Sequence, residues 1–421
     1  MIAIAVATVG LMIQSASAQT VGAYPTVPAS CTSCDQNAGA DHDCIGQTSA
    51  KAALFPNVGR MGIGRRPQRA WGTFEALLWW GKGRTVPPLV TTSPQGTVQD
   101  DAGVLGRTGT EVLFGNGTVG NQIAAGARAD FGFWIDPCEN LGIGAKVWGI
   151  DGDKTGYSAS SPASDPILAR PFYNVVLDRQ DSLLVAFPNL VTGDINVTTD
   201  SSVIGVEAYL RSSMFAGCGY NVDLIGGYHF VQLSDELSVT SRSVSTDPGG
   251  VVPVGTTFDV ADFFDTTNDF HGGEIGFTGE ARHGRWTLSG LAKLSVGNMR
   301  QRVRIDGTSA ITTPNSTPTV TAGGLLALPT NMGRYSRDKV ALIPEVNLTL
   351  AYRLRDWLNL SVGYNAIYWT DVVLSGDQID MNVNPTQLNG GILIGPAAPT
   401  FAYRNTDYWM HGLTLGATIT Y

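Results

Sequence analysis

Charge is scarce in this sequence, and a long apolar run is missing altogether. Only 15% of its 421 residues are Asp, Glu, Lys or Arg. The longest apolar stretch, Ile2 to Ile13, falls short of the ~20 residues that a helix needs to cross a bilayer. Basic residues are the minority, 27 against 36 acids, for a net charge of −9. A nucleic-acid partner is therefore not expected, because phosphate binding needs a basic surface. No glycine-rich phosphate loop follows a strand and no His-Glu-x-x-His occurs, so two common catalytic motifs are missing. What is plentiful is glycine, 51 residues, with a mean hydropathy of +0.04. That balance suits strands with one apolar and one polar face, neither of which dominates the average.

The N-terminus has the form of a secretory signal peptide over residues 1–18. The apolar run is followed by Ala16-Ser17-Ala18, small residues at the positions a signal peptidase reads, so the mature chain is expected to start at Gln19. Lys or Arg before the run is missing, and only the α-amino group is positive there. Residues 19–69 form a Ser/Thr/Cys/Pro/Gly-rich periplasmic segment that holds Cys31, Cys34 and Cys44. Cys138 and Cys218 fall in expected periplasmic turns, and export permits disulfides. Cys31-Thr-Ser-Cys34 lacks the His that c-type haem attachment requires, since Asp35 follows. A metal reading of Cys31, Cys34 and Cys44 with His42 is weaker than a disulfide or a surface thiol. No metal site and no cofactor is assigned.

From residue 70 onward, period-2 alternation marks ten strands: 70–80, 122–135, 141–151, 201–213, 220–233, 269–282, 285–297, 340–354, 357–370 and 408–421. The connections alternate in length. Tight turns are expected at Asp136–Asn140, Met214–Gly219, His283–Gly284 and Arg355–Asp356, and long polar loops at 81–121, 152–200, 234–268, 298–339 and 371–407. Short periplasmic turns alternating with long outer loops define an all-β fold, a transmembrane up-and-down antiparallel barrel. Twelve strands would result if one long loop concealed another hairpin.

The two faces of these strands differ consistently. The last strand aligns Leu413, Leu415, Ala417, Ile419 and Tyr421 on one side, a lipid-facing stripe ending in the aromatic that the barrel-insertion machinery is expected to read. With one phase per strand, the apolar faces hold no Asp, Glu, Lys or Arg. The charges fall on the opposite, lumen face: Glu75, Asp130, Glu207, Asp223, Glu274, Glu280 and Glu345, against Arg128, Lys146, Arg211, Arg282, Lys293 and Arg353. Trp71, Trp80, Trp286, Tyr352, Tyr368 and Trp409 lie toward strand ends, where aromatic girdles belong. Pro344 falls on the outer face and predicts a bulge or a strand start. His271 also falls outward, which raises a phase slip in that strand.

Several segments resemble a planctomycete-type β-barrel outer-membrane protein family. They are Trp71-Gly-Thr-Phe-Glu-Ala-Leu-Leu-Trp-Trp80, Gly126-Ala-Arg-Ala-Asp-Phe-Gly-Phe-Trp-Ile135, Arg353-Leu-Arg-Asp-Trp-Leu-Asn-Leu-Ser-Val-Gly-Tyr364 and Gly376-Asp-Gln-Ile-Asp380. The resemblance implies the barrel fold and the outer membrane, and transfers no activity and no catalytic residue.

Ten strands ~4.8 Å apart and tilted ~40° give a backbone radius of roughly 10 Å. Inward side chains occupy much of that, and opposite charges so confined pair with one another. A narrow, largely filled lumen with a structural or surface-interaction role is expected, ahead of a narrow channel or porin and of a secreted soluble all-β protein. An enzyme is not expected. The histidines, His42, His229, His271, His283 and His411, show no triad spacing, and His229 is expected in the lumen near the outer rim. Arg300, Arg302 and Arg304 alternate just beyond the apolar stripe, with Arg334, Arg337 and Lys339 returning at the far end of the loop. They are candidates for contact with lipopolysaccharide phosphates among the outer-membrane lipids or with acidic glycans, because arginine suits phosphate. Pairing with Asp306 and Asp338 in a solvated loop is the preferred alternative.

Overall fold

A computed structural model describes residues 70–420, apart from 137–139, 153 and 218. The expected signal peptide, the segment 19–69 with its three cysteines and His42, Cys138, Cys218 and Tyr421 lie outside the described residues.

Ten strands close a ring. They are β1 (Ala70–Gly81), β2 (Ile123–Trp134), β3 (Leu141–Asp151), β4 (Val191–Gly217), β5 (Tyr220–Ser245), β6 (Thr257–His283), β7 (Trp286–Thr312), β8 (Gly333–Arg355), β9 (Leu358–Val372) and β10 (Thr406–Thr420). Each runs antiparallel to its neighbours, and β10 returns to β1 in unbroken register from Trp71↔Thr420 to Gly81↔Met410. β3 covers β4 only as far as Ser202, and the short strand Thr155–Ser161 continues against β4 above it. The periplasmic connections are short. Gly284 starts a two-residue turn between the paired His283 and Trp286 with φ 59°, a backbone conformation that glycine adopts without strain.

The faces fall as the alternation predicts. Leu413 and Leu415 are exposed on the outside of β10, and Ala417 and Ile419 are half-exposed beside them. Trp80, Trp286, Tyr352, Tyr368 and Trp409 share the outward phase of their strands, whereas Trp71 faces inward. Its ring meets Trp134 at 5.5 Å and its Nε1 donates to Asp130 at 3.1 Å, so it does not belong to a girdle. His271 faces outward without a phase slip, in a 2.6 Å hydrogen bond with Tyr228 Oη. At Pro344 there is neither a bulge nor a strand start. The ladder to β7 runs through Leu294↔Pro344, and the ladder to β9 ends at Glu345↔Ile367. There a groove of about 370 Å³ opens, lined by Pro344, Val346, Tyr364, Ile367, Trp409 and His411 among others.

The wall is much taller than the alternation predicts. β4, β6 and β7 have 27 residues each and β5 has 26, against the ~9–11 that cross a bilayer. Much of the stretches expected as loops (152–200, 234–268 and 298–339) is therefore wall. The physical reason is that the apolar residues change face. Outward residues of β5 run Tyr220, Val222, Leu224, Tyr228, Phe230, and then Gln232, Ser234, Glu236, Ser238 and Thr240. The inward set does the reverse: Asp223 and His229 give way to Val231, Leu233, Leu237 and Val239, all buried. β4 switches at Val203/Ile204, and β7 switches between Val296 outside and Met299 inside. Lipid meets the lower wall and water the upper wall, so each half presents the opposite polarity outward.

The outer connections fold into the mouth of this upper wall. Val86, Leu89 and Val90 from the first, Leu168, Phe172 and Val185 from the second, Leu325–Leu328 from the fourth and Val373, Ile379 and Val383 from the fifth are buried. They pack against inward Ile195, Val197, Leu237, Val239, Phe264, Val303 and Ile305. Each large aliphatic side chain so buried contributes ~1.5–3 kcal/mol relative to exposure. The polarity switch also gives a depth test. Leu415→Arg, central on the lipid face of β10, is expected to cost about 2–4 kcal/mol. Thr308→Arg, exposed on the upper wall of β7, should stay within ~0.5 kcal/mol. Urea unfolding in lipid vesicles checks both, and equal effects would refute the assigned boundary.

Candidate functional site in the barrel interior

The inward side chains form layers from the periplasmic end upward. At the base Arg211 pairs with Asp223 at 2.6 Å and approaches Glu280 at 3.6 Å, and Arg282 reaches the same Glu280 at 2.7 Å. The Arg211 guanidinium lies 5.7 Å from the Trp71 ring and 5.4 Å from that of Trp134, a cation–π arrangement. Among the described residues no ion pair within 4 Å includes Asp130. It accepts from Trp71 Nε1 and, at 2.7 Å, from Tyr209 Oη.

Above the base lies a buried ionic layer. Glu75 accepts from Arg128, whose Nη1 is 3.8 Å from Glu345. Lys293 Nζ sits among three carboxylates, 2.6 Å from Glu207, 2.9 Å from Glu274 and 3.1 Å from Glu345. Lys146 reaches Glu207 at 2.9 Å. Gly276 makes this crowding feasible, because a Cβ there would stand 2.4 Å from the Lys293 Cβ. His229 belongs to the same layer, fully buried, with Nδ1 2.8 Å from Ser295 Oγ and Nε2 3.6 Å from Glu207 Oε1. It is therefore at mid-height rather than near the outer rim, since β5 continues well above it. Arg353 departs from the expected network: its guanidinium donates to the Gly284 carbonyl at 2.7 Å and joins the periplasmic hairpin.

An apolar layer covers the ions. Leu77, Trp79, Trp148, Ile150, Val203, Val231, Leu233, Phe270, Met299, Ile343, Ile367, Trp369 and Met410 are all buried in one cluster. Higher still, two wall aspartates hold the infolded loops. Asp235 takes Arg84 of the first loop at 2.7 Å and the Ser375 backbone N–H and hydroxyl of the fifth at 2.8 and 2.6 Å. Asp262 pairs with Arg170 of the second loop and accepts the backbone N–H groups of Leu325, Leu326 and Ala327 of the fourth at 3.0, 2.9 and 2.7 Å. Asn268 bonds Val373 N–H and C=O, each at 2.8 Å. These clamps escaped the sequence reading because they stand in stretches assigned to loops. Their signal is the period-2 alternation of buried apolar neighbours after the face change.

The arginine triplet lies on the β7 wall, not in a loop. Arg300, Arg302 and Arg304 face outward directly above Val296. Arg302 pairs with Asp269 at 2.5 Å, Arg304 with Asp306 at 2.5 Å, and Arg300 lies 3.4 Å from Ser336 Oγ. Asp338 instead accepts from Asn298 at 2.8 Å. Strand alternation separates Arg337 from this outward set, since it turns to Gln301 and lies over the Tyr403 ring.

A ten-stranded antiparallel ring with a lipid-compatible belt defines the protein as an outer-membrane β-barrel. The family named Putative beta barrel porin-7 (BBP7) matches residues 71–421, and the chain belongs to that family. No curated protein matches the chain. Among solved structures it is similar to the outer-membrane protease OmpT of Escherichia coli, at 12% identity over 86% of this chain and 99% of that one, with a TM-score of 0.41. It is also similar to a FadL homologue of Pseudomonas aeruginosa, at 10% identity over 84% and 90% with a TM-score of 0.26. Neither likeness carries a role over to this chain.

Proposed function

We propose that this protein is a closed outer-membrane barrel with a structural or surface-presenting role, delivered by the signal peptide of residues 1–18, and that it does not serve as a diffusion channel. The observation that carries this reading is the stack of buried layers inside the ring: an ionic layer centred on Lys293, an apolar layer around Trp79 and Trp369, and four infolded loops clamped by Asp235 and Asp262. A diffusion pore needs a continuous wet path, and a selective one favours a lining of one charge sign. Here acids and bases alternate within bonding distance. The outer face presented to the surroundings is the upper wall with its paired charges. A catalytic reading has little support. Ser295, His229 and Glu207 do stand in sequence, but all three are buried beneath the apolar layer, out of reach of a substrate.

The family name favours a second reading, a narrow porin for small solutes. Liposome swelling separates the two. Vesicles loaded with the folded chain are expected to swell in small sugars or amino acids no faster than protein-free vesicles. Swelling that rises with protein content and falls with solute size would establish the porin reading.

A further inference from the structure

We propose that Glu207, His229 and Glu274 form a binding site for one divalent transition-metal ion, of the zinc class, inside the barrel. The three residues come from adjacent strands. Glu207 of β4 lies directly opposite His229 of β5, and Glu274 of β6 lies two residues from Gly272, the partner of His229. One ligand atom from each lies within 4.8 Å of the others, and all three side chains are buried. The separation of 3.6 Å between His229 Nε2 and Glu207 Oε1 is close to the edge of a tetrahedron with metal bonds of ~2.1 Å, roughly 3.4 Å.

Three independent features point to a ligand. Glu207 Oε1, His229 Nε2 and Glu274 Oε1 are each shielded from solvent and make no hydrogen bond. A buried polar atom without a partner is costly, so three in one cluster call for an occupant. The second oxygens of both glutamates are already engaged by Lys293, which leaves the Oε1 atoms free to ligate. Finally, the linked ions do not balance. Glu75, Glu207, Glu274 and Glu345 face Arg128, Lys146 and Lys293, an acidic surplus that favours a cation over an anion as the occupant. Ser295 Oγ, bonded to Nδ1 at 2.8 Å, fixes the ring so that Nε2 faces Glu207, while Glu274 Oε2 lies 3.9 Å from Nδ1. Such a partner commonly orients a metal-binding imidazole. Imidazole with carboxylate oxygen suits zinc and its neighbours better than calcium or magnesium. The ion cross-links three wall strands and enters as the barrel closes.

The test uses the full chain refolded into detergent with zinc, its fold followed by heat-modifiable migration, in a background with Ser in place of all five cysteines, Cys31, Cys34, Cys44, Cys138 and Cys218, which removes competing thiols. After dialysis it is expected to retain one zinc per barrel. Cobalt in its place should give visible d–d absorption without a thiolate charge-transfer band. His229→Gln and Glu274→Gln should each abolish retention, and Ser295→Ala should weaken it by about 10–100-fold. A folded parent barrel that holds no zinc overturns the proposal, whatever the variants do. So does zinc retained undiminished in a folded His229→Gln barrel, or a cobalt form without visible d–d absorption beyond that of the free ion.

Discussion

Asp262→Ala is expected to destabilise the barrel by about 3–5 kcal/mol and to release two outer loops from its mouth. The carboxylate is inaccessible and so is its partner Arg170. Removing one member of a buried ion pair strands the other charge, and that penalty is ~3–5 kcal/mol. The N–H groups of Leu325, Leu326 and Ala327 lose their acceptor at the same time. Because Arg170 and Leu325–Leu328 belong to different connections, both should become sensitive to protease added outside intact cells. The control is Asp259→Ala. That residue faces Arg242 at 3.7 Å with both side chains about half exposed, and exposed pairs are worth only ~0–1 kcal/mol. Urea unfolding followed by tryptophan fluorescence, together with limited proteolysis, checks the contrast. Equal midpoints and equal protease resistance for the two variants would remove Asp262 from the role of a clamp.

The second large effect falls on Lys293. Its ammonium lies within 3.1 Å of three carboxylates, and Lys293→Met leaves Glu207, Glu274 and Glu345 facing one another without it. A cost of about 3–5 kcal/mol or more is expected from the uncompensated buried charge, read as a lower urea midpoint or as loss of the heat-modifiable form. Adding Glu345→Gln to Lys293→Met should recover part of the loss, because it removes one of the crowded charges. Lack of any recovery in the double variant would mean that packing around the lysine stem, rather than charge, sets the effect.

The lower wall was legible in the sequence because two simple patterns coincide there. Apolar side chains recur every second residue, as in Leu358, Leu360, Val362 and Tyr364, and tight turns separate the pairs. The ring of ten follows from those patterns. The upper wall was not legible by the same rule. At Phe230 and Val231 the apolar residues move from the even to the odd positions, and a reading that keeps one phase ends the strand there. That early ending also misjudged the height of His229 and put Arg300, Arg302 and Arg304 into a loop. The infolded loops left still less trace. Asp235, Asp262 and Asn268 look like ordinary polar loop residues, and their partners Ser375, Arg170 and Val373 are remote in sequence. Likewise the approach of Ser295, His229 and Glu207 depends on strand register, which alternation does not specify.

The central claim is that the interior is closed by its own side chains and loops. Single-channel recording of the folded full chain in a planar bilayer addresses it most directly. No stable current steps are predicted, at either polarity, from a sample whose folding is verified by heat-modifiable migration. Reproducible steps of fixed amplitude from that sample would contradict the closed barrel.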